Sequence, residues 1–112
     1  EAQASQLGAP LDVLEGRATY YSDALRGRST ASGEPYDPGE LTAEHRSLPF
    51  GTQVRVVRPD TGRSVVVRIN DRGPFGNEAR ILDLSRSAAE RLDMIRAGVV
   101  QVRAEVLEYG GK

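Results

Sequence analysis

The sequence predicts a small, mainly β domain, a barrel or a sandwich, with one short helix near its C-terminal end. Three observations carry that prediction. Apolar and polar residues alternate with a period of two in Gln53–Arg58, in residues 64–69 and in residues 99–107. Pro59, Asp60, Thr61 and Gly62 separate the first two runs with turn chemistry, which makes them a β-hairpin. Helical periodicity is confined to the stretch after Leu84, so the strands lack the intervening helices that parallel βα layers require.

Residues 1–14 have no clear period and read as a tail or linker. Residues 16–22 (GRATYYS) are aromatic and β-prone, with Ala18 and Tyr20 on one face and Thr19 and Tyr21 on the other. Residues 23–40 are rich in glycine and proline, and irregular segments of that length in compact domains tend to be functional. In the hairpin, Val54 and Val56 share one face, as do Val65, Val67 and Ile69, with Val66 opposite. Asn70-Asp71-Arg72-Gly73-Pro74 stops that strand abruptly. Residues 81–84 form a short strand, and Ser85 or Ser87 caps the helix that follows, Ser87 and Glu90 having capping-box spacing. Ala88, Leu92 and Ile95 fall on its inner face. In the last strand Val100, Val102, Ala104 and Val106 point inward. The expected organisation is a tail (residues 1–14), one barrel domain (15–108) and a short C-terminal tail (109–112).

A chain of 112 residues supports one core. Fifteen basic and sixteen acidic residues nearly cancel and no like-charge block appears, which argues against nucleic acid or an anionic membrane as a partner. With no cysteine, disulfides, thiolate metal sites and thiol catalysis are excluded. A single histidine makes a tight zinc site improbable, and no metal or other cofactor is implied. No apolar run approaches the roughly 18 residues of a membrane span. No nucleophile elbow, P-loop or dinucleotide fingerprint is present.

Four segments, in this order and spacing, resemble the RlpA (rare lipoprotein A) family. They are Thr30-Ala31-Ser32-Gly33-Glu34, the run from Leu41 to Thr52 (LTAEHRSLPFGT), the run from Val67 to Phe75 (VRINDRGPF), and Arg80-Ile81-Leu82-Asp83-Leu84-Ser85. The resemblance covers nearly the whole chain. It implies a six-stranded double-psi β-barrel with one or more short helices, the barrel also found in expansin-like domains. It also implies the activity of septal-ring lytic transglycosylases. Those enzymes cut the bond between N-acetylmuramic acid (MurNAc) and N-acetylglucosamine (GlcNAc) in peptide-poor peptidoglycan strands and leave 1,6-anhydro ends. The alternative is a non-catalytic glycan-binding or wall-loosening module on the same barrel. The implied setting is the bacterial cell envelope, periplasmic or exported, with any lipoprotein anchor lying outside this chain. The implied partner is the glycan strand, met by a monomer. The sequence departs from the family pattern at Ser22, at Leu25-Arg26, where an aromatic and a histidine are common, and at Asp93, where a glycine usually ends the helix.

Such cleavage needs an acid for the leaving oxygen and a base for the attacking C6 hydroxyl. The resemblance places the catalytic aspartate at Asp71, the second catalytic carboxyl at Glu34 and an auxiliary histidine at His45. Read without it, Asp71 is first a turn aspartate holding Arg72-Gly73-Pro74, Glu34 a solvated loop residue and His45 a packing residue. Asp83, between Leu82 and Leu84, reads as a structural acid that ties loop amides or Ser85. Tyr36 and Phe75 are candidates for stacking on sugar faces, and Arg72 for binding a substrate carboxylate.

Overall fold

The computed structural model describes residues 9–111. Six strands close into one barrel: β1 (Asp12–Tyr20), β2 (Thr42–Glu44), β3 (Gln53–Arg58), β4 (Arg63–Asp71), β5 (Arg80–Leu84) and β6 (Val100–Glu108). Around the barrel the order is β1-β5-β2-β4-β3-β6. β1 with β5 and β2 with β4 are parallel pairs, and the other four ladders are antiparallel. A single turn of 3-10 helix (Asp23–Leu25) follows β1, and one α-helix, α1 (Arg86–Arg91), follows β5.

The period-two pattern sets the inside of the barrel. Val54, Val56, Val65, Val67, Ile69, Leu82, Leu84, Val102, Ala104 and Val106 are buried, whereas Val66 is exposed. Burying each of the larger side chains contributes roughly 1.5–3 kcal/mol. The expected hairpin forms, with Val54 opposite Val67 and Val56 opposite Val65.

Three features differ from the sequence reading. β1 begins earlier, since Asp12, Val13 and Leu14, read as leader, pair with Val106, Glu105 and Ala104 of β6. Residues 1–8 of that leader lie outside the described residues. β2 was not anticipated, because three residues are too short to show a period. The helix is shorter and buries Ala88 and Ala89, while Leu92 and Met94 reach the core from the turn beyond it and Ile95 is only partly buried.

Ser85 is the residue that starts α1. Its fully buried hydroxyl donates to Glu40 O at 2.6 Å and accepts from Ala88 N and Thr42 N, both at 3.3 Å, so one side chain joins the helix cap to β2 and the long loop. Asp93 ends the helical segment at φ 55°, the left-handed conformation that usually calls for glycine.

Candidate active site

The two parallel pairs meet through only two residue pairs, Ala43 with Leu84 and Glu44 with Asp83. Directly opposed residues share a face. Ala43 and Leu84 point into the core, so Glu44 and Asp83 lie together on the outer side, beneath the loops. The row continues on both sides, Thr19 being aligned with Asp83 on β1 and Asp71 with Glu44 on β4. A bulge produces the last alignment. Ala43 pairs with Ile69 but Glu44 pairs with Asp71, leaving Asn70 as the extra residue. Bulges of this kind re-aim side chains beside functional sites.

Asn70 and Asp71 together hold the loop that carries Glu34. Asn70 Nδ2 donates to Glu34 Oε1 at 2.7 Å, and Asn70 O accepts from Ser32 N at 3.2 Å. Asp71 Oδ1 accepts from Ala31 N at 2.8 Å and from Arg72 N at 2.9 Å. The loop itself turns tightly: Gly33 N donates to Thr30 O, Thr30 N and Oγ1 donate to Glu34 O, and Gly33 has φ 95°, a conformation natural only to glycine. Glu34 and Asp71, far apart in sequence, are therefore brought to the same end of β4.

The two carboxyls are held differently. Arg68 Nη1 donates to Glu34 Oε1 at 2.7 Å, and this bond, with that from Asn70, holds the Glu34 carboxyl below its usual range. Asp71 Oδ2 accepts from the Tyr21 hydroxyl at 2.6 Å, so all three of its bonded partners are donors. Tyr21 stacks on Tyr36 with ring centroids 4.5 Å apart, and burial pushes the Tyr21 phenol far up. Tyr21, Tyr36, Asp71, Leu25, Arg28 and Thr30 line a recess of about 140 Å³. One of the family departures, Leu25, thus borders the site directly.

His45 sits on the other side of Asp71, its backbone N donating to Asp71 O at 3.2 Å. Its Nδ1 accepts from Ser47 N at 3.0 Å and Leu48 N at 3.1 Å, which fixes a neutral imidazole with its proton on Nε2. Burial, then Arg46 and Arg72, lowers its pKa. Arg72 is committed to the same loop: Nη1 donates to Leu48 O at 2.7 Å and the guanidinium lies 4.0 Å from the Phe50 ring centroid. Tyr36 is 3% exposed, with its hydroxyl accepting from Arg86 N, so it meets the recess only at its edge. Phe75, at 72% exposed, is open to a ligand. Asp83 does not reach Ser85. Its Oδ1 accepts from Thr19 Oγ1 at 2.9 Å, and burial raises its carboxyl.

Four site residues escaped the sequence reading: Tyr21, Glu44, Arg68 and Asn70. Arg68 alternates with the inward Val67 and Ile69, so its outward face was visible in the strand pattern. Glu44 offered no such signal. Its carboxyl lies under Gly73, where an added Cβ would meet Glu44 Oε2 at 2.8 Å, and Gly73 has φ 135°. Burial first, then Asp83, pushes Glu44 up to about 8. Among the described residues no cluster of three or more His, Asp or Glu is arranged to hold a metal ion.

Six strands closed in this order, with two parallel pairs meeting at a carboxyl-bearing row, make the domain a double-psi β-barrel. Solved structures share the fold. The Streptomyces papain inhibitor superposes with TM-score 0.70 at 23% identity, covering 87% of this chain and 96% of the inhibitor. The apo Clavibacter michiganensis expansin superposes with TM-score 0.67 at 24% identity, covering 90% and 53%. The model of the family described as lytic transglycolase matches residues 13–104, and the chain belongs to this family. A relative in Nostoc sp., named probable endolytic peptidoglycan transglycosylase RlpA, is 57% identical over 84% of this chain and 26% of its own length. The Campylobacter jejuni endolytic peptidoglycan transglycosylase RlpA is 43% identical over 88% of this chain and 36% of its own. The chain spans roughly a quarter to a third of these relatives.

Proposed function

We propose that this domain is an endolytic lytic transglycosylase that cleaves the MurNAc–GlcNAc bond of peptidoglycan strands. The observation that carries this reading is the joint placement of Asp71 and Glu34 at one end of β4, Asp71 bordering an open recess. In the reaction the C1–O bond to GlcNAc breaks as the muramic O6 forms a bond to C1, and the O6 proton ends on the leaving oxygen. The nucleophile belongs to the substrate, so the protein supplies only position, proton transfer and charge. Asp71 exchanges protons with the two sugar oxygens. Glu34, held ionised by Arg68 and Asn70, stabilises the oxocarbenium-like charge at C1. His45, through its two loop amides, positions the segment beside Asp71, and Arg72 fastens that segment to β4. Phe75 is the exposed platform for a sugar face. The domain works as a monomer in the cell envelope, periplasmic or exported, at the septum, on strands with few stem peptides.

The test compares intact sacculi with sacculi stripped of stem peptides by an amidase. Release of soluble glycan is expected from both, faster after stripping. Binding to the stripped strands without release at any pH would contradict the enzymatic reading and support a glycan-binding module.

A further inference from the structure

We propose that Glu44 is a positioning residue for the proton of this reaction: its carboxyl keeps the proton that Asp71 passes to the leaving oxygen, and the Tyr21 hydroxyl connects the two. This role rests on the transglycosylase reading above. The strand register puts Glu44 beside both Asp83 and Asp71. Tyr21 donates to Asp71 Oδ2 at 2.6 Å and faces the Glu44 carboxyl, whose proton-free form it favours. A phenol oxygen that donates one hydrogen bond retains lone pairs to accept another. Tyr21 and Asp71 also border the recess, so the connection ends where a ligand can enter.

The groups facing Glu44 are Asp83 from β5, Asp71 from β4 and Tyr21, the residue that follows β1. The nearby cations face elsewhere: Arg80 acts on Asp83, and Arg72 is tied to Leu48 and Phe50. Asp71, with three donors around it, accepts hydrogen bonds, whereas the buried Glu44 beside two other carboxyls keeps its proton. The balance closes. Glu44 gives its proton to the Tyr21 oxygen, Tyr21 gives its own to Asp71, and Asp71 protonates the leaving oxygen as C1–O breaks. The C6 hydroxyl proton then returns by the same route as O6 bonds to C1, restoring all three side chains.

The test measures kcat, KM and their pH dependence on amidase-stripped strands for the wild type, Glu44→Gln, Tyr21→Phe and the double variant. Tyr21→Phe keeps the ring that stacks on Tyr36. Each single variant is expected to lose on the order of 10²-fold in kcat at pH 7 with little change in KM. The double variant should be no slower than the slower single one, because both interrupt one route. The wild-type rate should fall on an alkaline limb near the Glu44 value of about 8, and Glu44→Gln should lack that limb. Wild-type kcat and limb in Glu44→Gln would overturn the proposal.

Two readouts need no activity. Glu44 is protonated in both folded and unfolded chains below its usual 4.5, and only in the fold between there and about 8. Its contribution to stability is therefore complete below 4.5 and is lost as pH rises through 8. The melting temperature of Glu44→Gln, relative to wild type, should rise steadily from pH 5 to pH 9. The carboxyl carbon of Glu44, followed by NMR, should titrate near 8 and higher still in Tyr21→Phe. A midpoint near 4.5 would overturn the proposal even if the wild type cleaves. A wild type that cleaves nothing while Glu44 titrates near 8 would reject the functional reading and leave the proton assignment standing.

Discussion

Asp71→Asn is expected to abolish cleavage, with a loss in kcat on the order of 10³-fold or more, while the barrel stays folded. General acid–base groups contribute about 10²–10⁴-fold, and Asp71 is assigned both proton transfers. The shape of the side chain is preserved, so Oδ1 can still accept from Ala31 N and Arg72 N. The bond to Tyr21 changes character, because an amide nitrogen in place of Oδ2 offers a donor to a hydroxyl that also donates. Losing that bond costs about 1–2 kcal/mol. In a domain of this size that lowers the melting temperature by roughly 4–8 °C for each kcal/mol. The expected result is therefore a folded, slightly less stable and inactive variant, checked by thermal melting and by release of soluble glycan. A variant with full activity would place the acid/base elsewhere. The turn-holding and proton-transferring readings of Asp71 do not compete, because one oxygen holds the Ala31 and Arg72 amides while the other faces Tyr21.

Glu34→Gln is expected to lower kcat by about 10²-fold and to change KM little. Gln can keep the bonds that Arg68 and Asn70 make to Oε1, so the loop stays in place. What disappears is the negative charge, which interacts more strongly with the transition state than with neutral sugar, and such differential stabilisation appears in kcat. Arg68 keeps its bond at 2.7 Å, now to an uncharged oxygen, and remains near Glu40, at 3.4 Å. The pair is more than a third exposed, so the effect on stability should be small. Steady-state kinetics on stripped strands and a melting curve check both parts. A large rise in KM at constant kcat would instead make Glu34 a binding residue.

Much of this arrangement was legible in the sequence, and what was not has a common cause. The β3–β4 hairpin and the inward valines of β6 follow from local pattern, which depends on neighbours a few residues away; the same pattern left the helix cap open between Ser85 and Ser87, and the fold uses Ser85. The motifs around Glu34 and Asp71 pointed to residues that the fold brings to the same end of β4. β2 is different, because three residues carry no period and become a strand only when β4 and β5 pair with them. Glu44 acquires its surroundings from that pairing and from the one-residue bulge at Asn70, both non-local events. Tyr36 shows the converse. Beside Glu34 in sequence it reads as a sugar platform, yet stacking on Tyr21 and the bond from Arg86 N draw it into the wall.

In the proposed reaction the C6 hydroxyl of the sugar, not water, replaces the leaving oxygen at C1. Digestion of amidase-stripped strands in ¹⁸O-enriched water, with mass analysis of the products, tests it most directly. Anhydro ends, lighter by one water than reducing ends and free of ¹⁸O, are the result this mechanism requires. New reducing ends carrying ¹⁸O would show hydrolysis and contradict it.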